Sequence, residues 1–205
     1  LSGMDTLNMD IIINTDLDVA PENTNIIPTH GNFYHNLLSC LGYSNESPPV
    51  ADLLRRYHHL EGEWMVASPI HWQATHNDAM IIASGNSLEL SDEESRRWFG
   101  AFEEFIAPEN MSLYYHDAHT WLLQTKSSKP EITAKPVHTL YHQSMMPELK
   151  LLDKTFFWQR FFTENQMFFS AHPLNNERTG LYPINGVWIW GRGTLDVNVS
   201  TPLAC

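Results

Sequence analysis

Apolar positions along the chain change their period several times, and each change marks an element. Met9 to Asn14 (M-D-I-I-I-N) is β-branched and closes on Asn14-Thr15-Asp16, which predicts a short strand. Residues 20–32 hold Pro21, Pro28, Gly31 and several Asn, and read as loop. Phe33 to Leu41 predicts a short helix stopped by Gly42, and Ser44 to Pro49 a loop. Val50 to Leu60 predicts a second helix, set off by Pro48-Pro49 and Gly62. Glu63 to Ala74 (E-W-M-V-A-S-P-I-H-W-Q-A) is extended and apolar, and Pro69 within it predicts an edge or a bulge. His76-Asn77-Asp78-Ala79 is turn chemistry, so Met80 to Ala83 is the returning arm of a hairpin.

A helix follows. Ser91-Asp92-Glu93-Glu94 has the form of a capping box, and Trp98, Phe99, Phe102, Phe105 and Ile106 then share one face as far as Pro108. Met111 to Tyr115 and Thr120 to Thr125 form a second hairpin around His116-Asp117-Ala118-His119. Short turns imply antiparallel pairing, so the order hairpin-helix-hairpin predicts an α+β fold in which the helix covers one face of a four-stranded sheet. Residues 126–136 (K-S-S-K-P-E-I-T-A-K-P) read as a polar linker. Beyond it, Leu152 to Ala171 predicts a long aromatic helix stopped by Pro173, and Val187 to Trp190 a buried C-terminal strand. The chain is expected to form one domain over 1–205. Its parts are an acidic, loop-rich lead-in (1–49), the hairpin-helix-hairpin (63–125), the linker, and the aromatic helix with its following segment (150–195).

Composition narrows the possibilities. Twelve Lys and Arg stand against 24 Asp and Glu, a net charge of -12, which argues against a nucleic-acid partner because phosphates need a basic face. No apolar run reaches the roughly 20 residues of a membrane-spanning helix, so no membrane partner is expected. The two cysteines, Cys40 and Cys205, support neither a disulfide framework nor a Cys-based zinc site. Leu1-Ser2-Gly3 ahead of Met4 reads as a cloning remnant, and no secretory leader follows it. A reducing, cytoplasmic setting is the expectation. No Lys or Arg precedes Arg55, whereas Asp5, Asp10, Asp16, Asp18, Glu22, Glu46 and Asp52 do. This is either a solvated lead-in or a face for a cation or partner.

The long helix carries the most informative chemistry. At 100° per residue Phe157, Phe161, Phe168 and His172 cluster, with Trp158 and Phe169 adjoining, and Glu164 and Asn165 fall inside that arc. A carboxylate on such a face needs a partner or a cavity, because burying it alone costs several kcal/mol. Glu164 is expected either to meet Arg178, Arg192 or a backbone amide in a structural network, or to join His172 at the polar end of a pocket. His172-Pro173-Leu174-Asn175-Asn176-Glu177-Arg178 follows at once. The resulting candidate binding set is Glu164, Asn165, His172, Asn175, Asn176, Arg178, Asn185, Trp188, Trp190 and Arg192.

Eleven histidines invite a metal reading. His71 and His76 flank the first turn and His116, Asp117 and His119 the second, and two imidazoles on the arms of a turn can share a divalent ion. Surface or structural histidines are the rival reading, since neither H-E-x-x-H nor CxxC occurs. Gly191-Arg192-Gly193 falls short of a phosphate loop, and G-x-S-x-G is missing.

Two blocks of sequence resemble a known family. One is Trp64-Met65-Val66-Ala67-Ser68-Pro69-Ile70-His71-Trp72-Gln73-Ala74, with the stretch from Leu90-Ser91 into the aromatic helix and Trp121-Leu122-Leu123. The other runs from Asn165-Gln166-Met167 through Ala171-His172-Pro173-Leu174-Asn175 to Pro183-Ile184-Asn185-Gly186-Val187-Trp188-Ile189-Trp190-Gly191. Both are similar to a group of proteobacterial proteins described as cofactor-independent phosphoglycerate mutase or RpfE-type regulatory protein, over about Val50 to Leu195. Where the family reads W-G-G-G, this chain has Trp190-Gly191-Arg192-Gly193. Family members run on further, so the resemblance makes the chain the N-terminal portion of a longer protein or a short member.

The resemblance implies either a regulatory role or an enzyme acting on phosphorylated metabolites. A metal-dependent mutase needs two metal ions held by Asp and His, a Ser nucleophile, and Arg and Lys around a highly charged ester. Asp16 and Asp18 are the faint echo of its first metal ligand, and antiparallel hairpins are the wrong architecture for its doubly wound fold. The expectation is therefore a non-catalytic domain that binds a small ligand or a protein partner. A phosphoglycerate mutase-like enzyme and a histidine-based metal module are the alternatives.

Overall fold

The structure, a computed structural model, describes residues 33–75, 78–126 and 129–196. The predicted strand at Met9–Asn14, Asp16, Asp18 and the metal candidate His76 lie outside them. The fold is α+β. Ten elements run in the order α1 (Phe33–Cys40), α2 (Val50–Tyr57), β1 (Trp64–Ala74), β2 (Ala79–Ser84), α3 (Asp92–Ile106), β3 (Met111–Asp117), β4 (Thr120–Thr125), α4 (Met145–Leu151), α5 (Phe157–Ser170) and β5 (Gly186–Trp190).

The sheet has five antiparallel strands. Four follow the order β2-β1-β4-β3, and β5 pairs with β1. β1 is central rather than an edge. Its first part pairs with β4 over Trp64–Ala67, its last with β2 over Ile70–Ala74, and its middle with β5 over Val66–Ile70. Pro69, which has no N–H to give, falls between the stretches matched to β4 and β2, where its missing donor costs nothing in either ladder. The bulge lies two residues later, between His71 and Trp72.

Residues paired across antiparallel strands share a face. Val66, Ser68, Trp188, Trp190 and Leu122 therefore lie on one side, and Ala67, Ile189, Trp121 and Leu123 on the other. α3 packs on the second side. Phe99 and Phe102 meet Trp121 with ring centres 5.6 and 6.0 Å away. The Ser91 hydroxyl caps α3 at the Glu94 amide, as expected. The Glu94 carboxylate turns elsewhere, to Trp98 Nε1 and Arg178 Nη1.

α5 starts five residues later than the sequence suggests. Asp153 stands ahead of it and accepts from the amides of Thr155, Phe157 and Trp158, satisfying donors that a helix start leaves open. α5 lies along the outer border of β5. Phe162 stacks on Trp188 at 4.6 Å, while Phe169 stacks on Trp98 of α3 at 5.3 Å. Between these contacts, Asn165 Oδ1 accepts from the Val187 amide at 2.8 Å, so a side chain takes the place of a sixth strand. The linker is not a free tether. Ile132 is buried, and the Thr133 amide bonds the Leu152 carbonyl.

Candidate functional site

Glu164 is not on the buried arc. Its side chain is 53% exposed and pairs with Arg160 one turn back, at 3.5 Å. The buried position is its neighbour Asn165, 1% exposed. One residue is 100° of helix, enough to carry a side chain from the aromatic face to water. The expected Glu164–His172 pocket is therefore not assembled. His172 Nδ1 accepts from the Leu174 amide, and the ring packs on Trp98 and Phe168.

The other polar candidates in this region hold the fold together. Asn175 Nδ2 donates to the carbonyls of Phe169 and Ile184, and its Oδ1 accepts from the Ile184 amide. Asn185 takes both backbone groups of Trp72, accepting from its N–H and donating to its carbonyl. Arg178 is buried. It donates to the Tyr182 carbonyl at 2.7 Å, to the Leu88 carbonyl and to Glu94 at 2.5 Å. Asn176 is exposed. Trp188 donates to the Lys135 carbonyl and Trp190 to Ser68 Oγ.

Two of the predicted residues, Trp190 and Arg192, line a cleft of about 850 Å³. Its floor is Trp64, Trp190 and Ile132. Its walls come from the loop at Glu46, from α2 (Asp52, Arg55), from the linker (Glu131 to Lys135), from α4 (Glu148, Leu151) and from Gly191 to Thr194. Gly191 sits at φ +72, and a Cβ there would stand 3.1 Å from Val66, so this turn favours glycine. Five carboxylates (Glu46, Asp52, Glu63, Glu131, Glu148) face three cations (Arg55, Lys135, Arg192), an acidic excess of two.

Each of those cations is held by a carboxylate. Arg55 bonds Asp52 at 2.6 Å and Lys135 bonds Glu148 at 2.8 Å. Arg192 spans Glu63 at 2.9 Å and Glu131 at 3.1 Å. The latter two acids are solvent-facing, at 82% and 84% side-chain exposure. Burial pushes Asp52 up, but the Leu195 amide and Arg55 outweigh it and hold the group below the ordinary carboxylate range. Arg55, Glu63, Trp64, Glu148, Leu151 and the linker residues Glu131 to Lys135 are members that sequence reading missed. The usable signal was the alternation of acid and apolar residues at Glu131-Ile132.

The described histidines of the two turns, His71, His116 and His119, do not converge. His71 Nδ1 donates to the Pro183 carbonyl and its ring stacks on Tyr182; burial holds its pKa down against that hydrogen bond. His119 is also held down by burial, against the pull of Asp117, and its Nδ1 has no partner among the described residues. His116 turns away from His119 to Tyr34 and His58. Among the described residues no three of His, Cys, Asp or Glu form a set that could hold a metal ion, and no helix is long and apolar enough to cross a membrane. Comparison with protein-family models, with curated proteins and with solved structures gives no match for this chain.

Proposed function

We propose that the chain is a non-catalytic ligand-binding domain, acting in a cytoplasmic regulatory role, and that its ligand is a small organic cation seated in the Trp190 cleft. The observation that carries this reading is the lining: the buried apolar side chains Trp64, Trp190 and Ile132 beside carboxylates that outnumber the cations, with Glu63 and Glu131 open to solvent. Small-molecule sites run from a few hundred to about 1,000 Å³, and this cleft falls in that range. Methylene groups suit Trp64, Trp190 and Ile132, and an ammonium or guanidinium suits the rim. Arg192, lying between Glu63 and Glu131, already presents such a cation to the same acids.

The resemblance to mutase-labelled proteins supplies the rival reading, an enzyme on phosphorylated metabolites. It is the poorer fit, because a phosphate ester would meet carboxylates, and no cation in the lining lacks one. The test is titration with a linear triamine such as spermidine and, separately, with 3-phosphoglycerate, followed by tryptophan fluorescence and calorimetry. The triamine is expected to bind, and Glu63→Gln with Glu131→Gln to weaken it at least tenfold. Turnover of 3-phosphoglycerate, or triamine binding indifferent to both substitutions, would overturn the proposal.

A further inference from the structure

Away from the cleft, four side chains from three elements form one hydrogen-bonded row. Tyr34 Oη of α1 lies 3.0 Å from His116 Nε2 of β3. His116 Nδ1 lies 2.8 Å from Nε2 of His58, the residue just after α2. His58 Nδ1 lies 3.2 Å from Tyr114 Oη, again of β3. The row is half-buried. The two imidazoles face each other nitrogen to nitrogen, and that geometry constrains their protons. Two ring nitrogens 2.8 Å apart form a hydrogen bond when one carries a proton and the other a lone pair.

Counting protons gives three states. With both rings neutral, one donates to the other. With one ring charged, the bond becomes charge-assisted and stronger. Asp117 Oδ2 also stands 3.6 Å from His116 Nε2. With both rings charged, every ring nitrogen carries a hydrogen. Two N–H groups then point at one another across 2.8 Å, and the bond is replaced by repulsion.

We propose that the His58–His116 contact is an acid-opened clasp, closed by the proton the rings share and opened by a second one, which releases the end of α2 from β3. Among the described residues the groups facing it are Tyr34 from α1, Tyr57 and His59 from α2, and Tyr114 and Asp117 from β3. Asp117 is the one carboxyl group among them. His59 opposes the second. Burial, then His116 and His59, holds the pKa of His58 below the ordinary histidine value of 6.5. A histidine with a depressed folded pKa contributes stability above its unfolded value and loses it as pH falls through the folded one. Opening therefore belongs below pH 6.5, on the acid side of neutrality.

The test is amide hydrogen exchange of residues 54–60 in the whole chain between pH 7.5 and 4.5, corrected for intrinsic rate, beside side-chain ¹⁵N NMR of the histidines. Protection of the end of α2 is expected to fall at least tenfold through the lower part of this range while β1 and β4 keep theirs. His58→Gln leaves a neutral acceptor opposite His116 and is expected to keep the end of α2 protected at acid pH. Equal protection at both ends of the range overturns the proposal, as does an equal loss in His58→Gln. The NMR titration decides independently of any variant: each proton uptake is expected to move the signals of both rings, and two rings that titrate without sensing one another overturn it.

Discussion

Replacing Arg178 by Met is the sharpest test of how the C-terminal segment is held. Its guanidinium ties three places together: the Tyr182 carbonyl, the Leu88 carbonyl ahead of α3, and Glu94 in the first turn of α3. The Arg178 side chain is 1% exposed and that of Glu94 is 23% exposed. Breaking a buried pair by removing one partner costs about 3–5 kcal/mol. Water that reaches Glu94 lowers that figure, while the stranded Leu88 carbonyl adds about 1–3 kcal/mol. Methionine refills part of the volume, so the net loss is about 3–4 kcal/mol. With a urea slope of about 2 kcal/mol/M, the unfolding midpoint should move down by about 1.5–2 M at unchanged slope. Adding Glu94→Gln should return part of the loss, because it removes the charge left behind. A single variant that loses less than about 1 kcal/mol, or a double variant no better than the single one, would refute a structural role for this arginine.

Three further outcomes are expected. Asn185→Ala strands both backbone groups of Trp72 and should cost about 2–3 kcal/mol in the same urea assay, with β1 amides near Trp72 losing protection first. Asp52→Asn should flatten the acid limb of the stability curve. The wild-type group has a depressed pKa, so its contribution is present above the ordinary value of 3.8 and is lost as pH falls through the folded one; thermal melts from pH 6 to 2 measure this. Glu164→Gln should leave stability within about 0.5 kcal/mol of the parent, since the carboxylate is exposed and its partner Arg160 is a surface residue; a larger loss would put it back in a network.

The elements marked by local chemistry were readable from the sequence. The hairpin at Met111–Thr125 follows from its turn residues, and α3 from Ser91 and the spacing of Trp98, Phe102 and Ile106. The candidate site was less readable, for two physical reasons. One is angular. Glu164 and Asn165 differ by a single step of helix, and an aromatic-rich arc does not say which of two adjacent polar residues faces the interior. The other is distance in sequence. Arg178 meets Glu94 84 residues away, and His58 meets His116 58 residues away. The cleft shows the same limit, since residues of the polar linker become a wall once Ile132 is buried.

The amide hook from Asn165 to Val187 has a consequence for how this molecule fails. β5 reads V-W-I-W over residues 187–190, has one strand neighbour among the described residues, and would otherwise offer a bare row of donors and acceptors to any passing chain. With α5 seated, that border is closed to recruitment by other molecules. Once heat or a protease lifts α5, the strand becomes a template for cross-β stacking. Precipitation on heating should therefore nucleate at this border, and its onset should track the undocking of one helix rather than melting of the whole sheet.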